Sequence, residues 1–415
     1  MTGPKESFTS NFQAPQNSVE LRSQGQQYLA DLPLPNRKSE MWKYSSITKL
    51  VNSSLRTCSG EGVVWPEEIL PDPIPFLDSY RIVFRNGSYV ASLSDLPVDD
   101  DVVCAPRGNV KADFENEYHK TEWIGAMNAS YHQDGLFLKV SKNTVLDRPI
   151  VVHHLTDGEG IASFPRHYIE IEEGAKAEIV LWSSATEKSS GMCNGLFEAH
   201  VAPNACLVID KICNEGGEVF KFSHEYICQA RDSRVKINTF TVKGHWVRNE
   251  LEIVSNGPGT DSVFNGAYMP IGSEHVDNHT IMDHAYPNGT SSELYKGIMY
   301  DKSTGVFNGK VFVRKDAQQT NAIQQNSNIV ADKGATINAK PELEIYADDV
   351  KCSHGCTVGQ FDNEALFYLN SRGIGAEEAK SLLVKAYVGD VVAAVDREEV
   401  INEVLRLYSE RHNWS

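Results

Sequence analysis

Turn-forming tetrapeptides recur at nearly constant intervals through the middle of this sequence. They contain glycine, proline, asparagine or aspartate, the residues that most readily adopt turn conformations. The turns begin 29, 28, 26 and 30 residues apart and are Gly174-Ala-Lys-Ala, Pro203-Asn-Ala-Cys, Arg231-Asp-Ser-Arg, Gly257-Pro-Gly-Thr and Pro287-Asn-Gly-Thr. A period of about 20 to 50 residues is typical of a solenoid, in which each coil buries its inner face by stacking on the next. The repeat therefore predicts a solenoid.

Short segments that alternate apolar with polar residues fill the intervals between these turns. Examples are Ala177-Glu-Ile-Val-Leu, Val235-Lys-Ile-Asn-Thr-Phe and Val306-Phe-Asn-Gly-Lys-Val-Phe-Val. Alternation with a period of two predicts β-strands, and it extends from about residue 136 to residue 360. We therefore expect a mainly β protein with a β-helix core. A β-sandwich is the alternative, because sandwiches also place turns about every 8 to 12 residues.

Helical periodicity returns at both ends of the chain. Apolar residues at helical spacing lead up to Pro33, and Asp362 can cap a C-terminal helix that Gly373 can end. Because the end of a solenoid exposes unpaired strand backbone, we expect the terminal helices to cover its ends. The predicted division is an N-terminal helical region with short strands (1–125), a β-helix core (126–360) and a C-terminal helical domain (361–415).

The charge balance argues against nucleic acid as a partner. The chain has 39 Lys and Arg against 56 Asp and Glu, a net charge of −17, and this negative field repels a phosphate backbone. No apolar stretch is long enough for a membrane helix, and the N-terminus has no apolar signal segment. The eight cysteines are scattered, which indicates thiols and no disulfide framework. We expect a cytoplasmic protein that binds neither nucleic acid nor a membrane.

The motifs of common enzyme classes are missing from the sequence. There is no GxxxxGK[ST] phosphate-binding loop and no strand-linked GxGxxG motif, so we expect the chain itself to bind no nucleotide. There is also no Gly-x-Ser-x-Gly motif and no Cys-x-x-Cys pair, which leaves nucleophilic and thiol-redox catalysis with little support. These absences are consistent with a protein that is not an enzyme, which is the expectation that the resemblance described below implies.

One polar cluster combines two imidazoles with a carboxylate. His275, Asp277 and His279 share one face of a predicted strand, a spacing that can gather ligands around a divalent ion. The same pattern is typical of an outer solenoid face on which polar side chains bind one another. Both interpretations stay open at this stage.

A second cluster places sulfur and imidazole together just before the C-terminal helices. Cys352, His354 and Cys356 alternate along an extended segment and therefore lie on one side of it. Thiolate and imidazole suit iron, iron–sulfur clusters or zinc. Buried structural cysteines with a hydrogen-bonded histidine are the alternative without a metal.

Four segments of the chain carry a family resemblance. They are Arg37-Lys-Ser-Glu-Met-Trp-Lys-Tyr44, Glu293-Leu-Tyr-Lys-Gly-Ile298, Leu343-Glu-Ile-Tyr-Ala-Asp-Asp-Val-Lys-Cys-Ser-His-Gly-Cys-Thr-Val-Gly-Gln360 and Ala365-Leu-Phe-Tyr-Leu-Asn-Ser-Arg-Gly-Ile374. Together they resemble the SufB/SufD family of the SUF iron–sulfur cluster assembly system. In SufB, a cysteine thought to receive sulfur lies in a segment similar to residues 329–336, but this chain has no Cys between 229 and 351. The resemblance is therefore to the SufD branch.

The resemblance implies a right-handed parallel β-helix that serves as a scaffold in cluster assembly. It implies edge-to-edge pairing with SufB and binding of the SufC ATPase through the C-terminal helices. The free strand edge at the end of the coil separately predicts a two-fold homodimer when the chain is alone. His354 corresponds to a histidine at the SufB–SufD junction, so His354 and Cys352 are the candidate iron or cluster ligands. Iron or a cluster would be held transiently in the complex, and no cofactor tightly in the isolated chain. Cys356 departs from the alanine of the family pattern.

A function of a different class is the alternative. Carbohydrate-active lyases and hydrolases also use β-helices, and they act on sugars in an exposed groove. Such an enzyme would need a cluster of carboxylates or basic residues along one face. The sequence offers scattered acidic residues and no secretion signal.

Overall fold

The structure is a computed structural model that describes residues 4–13, 19–58, 74–106 and 118–414. Within these residues, none of the helices is long and apolar enough to cross a membrane. One-turn 3-10 helices occupy Glu40–Trp42 and Ala91–Leu93. The α-helices are α1 (Pro4–Thr9), α2 (Val19–Asp31), α3 (Thr48–Val51), α4 (Tyr118–Thr121), α5 (Trp123–Tyr131), α6 (Asn363–Ser371), α7 (Ala376–Val392) and α8 (Glu398–His412).

The strands of the described residues form two long sheets. Sheet A contains β1 (Arg56–Thr57), β4 (Val102–Pro106), β5 (Leu136–Val140), β7 (Ile161–Ser163), β8 (Arg166–Ile171), β10 (Ser190–Val201), β12 (Glu218–Gln229), β14 (Trp246–Ser255), β16 (His275–His284), β18 (Thr304–Val313) and β20 (Thr336–Ile345). Sheet B contains β2 (Tyr80–Arg85), β3 (Ser88–Tyr89), β6 (Ile150–Thr156), β9 (Lys176–Ala185), β11 (Cys206–Glu215), β13 (Arg234–Lys243), β15 (Asp261–Tyr268), β17 (Thr290–Met299), β19 (Asn321–Val330) and β21 (Lys351–Gly359).

The chain alternates between the two sheets from β8 to β21. Each strand from β8 to β19 pairs in parallel with the strand two places further along, so β9 pairs with β11, β11 with β13, and so on to β21. This is the topology of a β-solenoid, here of about eight turns. The predicted solenoid is confirmed, and the β-sandwich is excluded because its sheets are antiparallel.

The predicted turns are the corners where the coils stack. Each contains one residue in the left-handed region, namely Gly174, Asn204, Asp232, Gly259 and Asn288, and Gln319 has the same conformation at a sixth corner that was not predicted. Successive members of this series are 27 to 31 residues apart. Gly and Asn adopt this conformation more readily than other residues. The N–H of each donates to a carbonyl of the next corner, for example Gly174 to Pro203 at 3.0 Å. The periodic turn sequence thus sets the repeat of the coil.

Apolar side chains stack in columns inside the coil. Ile179, Ile209 and Ile237 stand in register on successive strands of sheet B, and each is at most 1% exposed. Their burial against the inner face of sheet A removes apolar surface from water, which is the main force that stabilises such a fold.

The terminal helices cover the outer faces of the sheets. Apolar residues of α7 and α8, such as Val388 and Val404, pack on the outer face of sheet B against Ile212 and Phe240. The N-terminal segment packs likewise on sheet A, where Trp42 meets Phe222. The expectation that helices cover the C-terminal end was wrong, because these apolar outer faces need the helices instead. The segment boundaries after 125 and 360 stay predictions.

Candidate functional site

β21 is the last strand of sheet B, and among the described residues it pairs with β19 alone. The Lys351 N–H donates to the Thr320 carbonyl at 2.8 Å. In a parallel ladder, every second residue of a strand forms its backbone hydrogen bonds with the same neighbouring strand. The odd-numbered residues of β21 therefore form theirs with β19. The even-numbered residues from 352 to 358 therefore present their N–H and C=O groups to an open edge.

The predicted sulfur and imidazole cluster lies on this edge strand. Its three side chains share the face that continues the interior of the coil, since Cys352 packs beside the inner core. Cys352 is half-buried, whereas His354 and Cys356 are exposed. Burial raises the pKa of both thiols. Each sulfur must therefore release a proton before it can bind a metal as thiolate.

A floor of buried amides on β19 lies under these side chains. It consists of Gln324, Asn326 and Asn328, each at most 2% exposed and opposite residues 354, 356 and 358 of β21. Asn326 Oδ1 accepts from Asn328 Nδ2 at 2.5 Å and lies 3.8 Å from Cys356 Sγ. The interior of the coil, apolar in its earlier turns, is therefore polar where it reaches the open end.

The candidate ligands do not form a complete set by themselves. Within the described part of the chain, no group of three or more His, Cys, Asp or Glu side chains is placed to hold a metal ion. His354 and Cys352 supply one imidazole and one thiol from a single strand. Zinc takes about four ligands, and iron–sulfur clusters are likewise held by about four. A complete metal or cluster site would need further donors besides these two side chains.

The other predicted cluster lies on β16, beneath the N-terminal segment. The Asp277 carboxylate is buried and accepts from Arg248 Nη1 at 2.7 Å, and its Oδ1 lies 2.9 Å from His279 Nε2. The Ser45 hydroxyl also donates to this carboxylate, and it lies 2.8 Å from His275 Nε2. The three residues are thus engaged by protein groups, which fits the interpretation of polar side chains that bind one another.

The residues that complete this network were not among the predicted site residues. Arg248 donates to Glu250 Oε1 at 2.6 Å and to the Met41 carbonyl at 2.9 Å, and its guanidinium stacks 4.0 Å from the Trp42 ring. Met41 and Trp42 belong to the N-terminal segment that carries the family resemblance, and this was the available signal. No sequence signal indicated a role for Arg248, because a charged residue in an alternating strand normally faces solvent. The network fastens the N-terminal segment to sheet A.

Two family models together match most of the chain. Residues 154–387 match the family described as "SUF system FeS cluster assembly, SufBD core domain". Residues 11–152 match the one described as "SufBD protein N-terminal region". The first match contains β21 and its candidate ligands, and the second contains the N-terminal segment that packs on sheet A.

Curated relatives agree with the family models over nearly the full length. The iron–sulfur cluster assembly protein SufD of Escherichia coli is 32% identical over 94% of this chain and 92% of its own length. An iron–sulfur cluster assembly SufBD family protein of Synechocystis is 28% identical over 88% of this chain and 84% of its own. SufD of Bacillus subtilis is 24% identical over 96% of this chain and 95% of its own. The chain therefore belongs to the SufBD family of SUF iron–sulfur cluster assembly proteins, and it is of the SufD type.

Proposed function

We propose that this chain is a non-catalytic scaffold subunit that pairs with SufB, binds the SufC ATPase, and helps to acquire iron and form clusters where it meets SufB. The observation behind this is the open edge of β21, which carries His354 and Cys352 above a polar floor. The metal is cargo in this scheme, so we expect no cofactor bound tightly to the isolated chain. The setting we propose is the cytoplasm.

Edge-to-edge pairing is supported by the backbone and by the surface around it. An unpaired strand edge is a template for another strand, and pairing satisfies its N–H and C=O groups. Large apolar side chains are exposed at the same end of the coil, including Ile323 (42%), Tyr346 (62%) and Val358 (56%). A second copy of this chain offers the same edge, so we expect a two-fold homodimer when SufB is absent.

The C-terminal helices offer a surface suited to SufC. No residue of α6 is buried, and Phe367 and Tyr368 on this helix are 76% and 57% exposed. Leu382 on α7 is 42% exposed. Exposed aromatic side chains next to one another typically mark a protein-binding surface. α7 and α8 are anchored on sheet B, so a force that SufC applies there can reach the solenoid.

A ligand set divided between two chains suits transient binding. Imidazole and thiolate from β21 would supply part of the coordination, and SufB would supply the rest. Movement of one subunit relative to the other then opens or closes the site. When the ligands are divided between two chains, separation of the chains can release a finished cluster. A complete site within one chain offers no such route.

The substitution His354→Ala tests this function. In the complex with SufB and SufC, it should lower the cluster content roughly tenfold or more, because a ligand is lost. The melting temperature and the subunit composition should stay unchanged, since His354 is exposed. Cys352→Ser should have a comparable effect if the thiol is a ligand, and Cys356→Ala is the matched control with little effect. Normal cluster content in His354→Ala would refute the assignment.

A further inference from the structure

One inner column of sheet B changes from apolar to polar as it approaches the open end. Along the register it runs through Ile237, Phe264, Glu293, Gln324 and His354, on β13, β15, β17, β19 and β21. Successive side chains of such a column are about 4.7 to 4.9 Å apart, the spacing of neighbouring strands. Glu293 and Gln324 are 2% and 1% exposed. A buried carboxyl and a buried amide thus lie directly behind His354.

Hydrogen bonds hold the amide of Gln324 in one orientation. The Thr280 hydroxyl donates to Glu293 Oε1 at 2.6 Å, and Gln324 Nε2 donates to Glu293 Oε2 at 2.7 Å. The oxygen of Glu293 that faces Gln324, Oε2, is thus an acceptor, and it selects the amide nitrogen of Gln324. The amide oxygen, Oε1, must then point away from Glu293.

That oxygen is buried and has no donor among the described residues. An unsatisfied buried acceptor costs about 1 to 3 kcal/mol, and most such groups in folded proteins have a partner. The next side chain of the column is that of His354, and each tautomer of a neutral imidazole has one N–H to donate. The other side chains of this face on β21 include Cys352 and Cys356, whose thiols are weak donors.

We propose that Gln324 is a positioning residue for His354. Gln324 Oε1 accepts the N–H of the imidazole, which fixes the tautomer and leaves the lone pair of the other ring nitrogen directed to the junction. Glu293 holds the Gln324 amide in the orientation that this requires. A metal-binding histidine commonly donates its second nitrogen to such a group, which orients the ring and raises its basicity. This inference rests on the proposed function of His354.

Histidine NMR on the isolated, 15N-labelled chain tests the inference without any cluster. His354→Ala identifies the His354 signals by their loss. We expect a single tautomer for His354 in the wild type and a mixture of two tautomers in Gln324→Leu. Gln325→Leu is the matched control, because Gln325 is exposed on the opposite face of the same strand and should leave the signals unchanged. Unchanged His354 signals in Gln324→Leu would overturn the inference.

Substitution of Glu293 provides a second test should Gln324→Leu fail to fold. Glu293→Gln keeps an oxygen that can accept from Gln324 Nε2, so the single tautomer should persist. Glu293→Leu removes that acceptor and should give the mixture. Equal spectra for these two variants would contradict the role given to Glu293.

Cluster assembly separates this inference from the proposed function. In the complex with SufB and SufC, Gln324→Leu should weaken iron binding roughly tenfold, the usual cost of losing a group that orients a metal ligand. If the tautomer changes in Gln324→Leu while His354→Ala assembles clusters normally, the positioning holds and the metal role of His354 fails. If the tautomer does not change, the positioning is refuted, whatever His354 binds.

Discussion

Asp277 keeps a negative charge inside the protein because the Arg248 guanidinium and the His279 imidazole lie beside it. Burial alone would raise the pKa of this carboxyl, but His279 and Arg248 outweigh burial and hold its pKa well below the usual range. Arg248 in turn is 1% exposed and joins the carboxylate to the Met41 carbonyl on the N-terminal segment. The stability of the N-terminal packing thus depends on a buried ion pair.

Asp277→Asn should destabilise the fold by about 3 to 5 kcal/mol, because it leaves Arg248 buried without its full counter-charge. A carboxyl whose folded pKa is lowered stabilises the fold above its unfolded pKa, and this contribution is lost as the pH falls through the folded value. The difference in unfolding free energy between variant and wild type should therefore be largest near neutral pH and become smaller below about pH 4. Denaturant unfolding at several pH values measures it, with the exposed Asp316→Asn as control. A difference under about 1 kcal/mol at pH 7 would contradict this role.

Glu293 shows the opposite dependence on pH. Burial raises its pKa to about 7, although Thr280 and Gln324 both donate hydrogen bonds to it. The folded chain therefore keeps a proton that the unfolded chain releases above its ordinary pKa of 4.5. By linkage, stability falls as the pH rises from the unfolded value through the folded one.

Glu293→Gln should remove this dependence. Relative to the variant, the wild type should lose about 3 kcal/mol of unfolding free energy between pH 4.5 and pH 7, since each pKa unit corresponds to about 1.4 kcal/mol. Unfolding of both proteins in denaturant across this pH range provides the measurement. Parallel stability profiles for the two proteins would show that Glu293 does not titrate in this way.

At the scale of elements, the sequence predicted the corners and strands of the coil well. Turns built on Gly, Asn and Asp recur because each corner needs a left-handed residue, and that local requirement is visible in the sequence. The predicted cap of α6 is also confirmed, since the Asp362 side chain accepts from the N–H groups of Glu364 and Ala365. The sequence did not reveal which sheet faces the terminal helices cover, because that depends on contacts distant along the chain.

The amide floor under His354 could not be predicted from alternation. In β19 an alternating pattern would place Ile323 inside and Gln324 outside. The structure has the reverse, with Ile323 42% exposed and Gln324 1% exposed. The register of the coil fixes which face points inward, and Glu293 gives Gln324 a hydrogen-bond partner there. Exceptions to the hydrophobic pattern are expected at functional sites.

The exposed aromatic surface of α6 gives a sharper test of SufC binding than truncation. Removal of the chain after Gln360 would also strip α7 and α8 from sheet B and expose its apolar outer face. The double substitution Phe367→Ser and Tyr368→Ser leaves those helices in place and should weaken SufC binding at least tenfold, or about 1.4 kcal/mol. Titration calorimetry measures it. Tyr286→Ser, which alters a tyrosine 43% exposed elsewhere, is the control, and unchanged affinity in the double variant would refute the docking surface.

At the scale of the whole molecule, the two ends of the solenoid differ. At the N-terminal end the sheets finish in short antiparallel strands, β3 of two residues and β4 of five, the last of which is Pro106. Short strands and proline discourage pairing with other chains. At the C-terminal end, β20 and β21 are ten and nine residues long, and β21 contains no proline, whereas β20 contains Pro341. Because only the C-terminal end is suited to strand pairing, each chain can add one partner there. Two chains then form a closed pair, whereas pairing at both ends would build a fibre.

Pairing with SufB through the β21 edge is the central claim, and co-purification tests it most directly. Val358→Pro removes an N–H that faces the open edge and leaves the bonds to β19 in place, whereas Val358→Ala keeps that N–H and serves as control. The tagged chain, expressed with SufB and SufC, should retain both partners as wild type and as Val358→Ala. Val358→Pro should lose most of the SufB while it retains SufC and its melting temperature. Absence of SufB from the wild-type preparation, or equal SufB in Val358→Pro, would contradict the account.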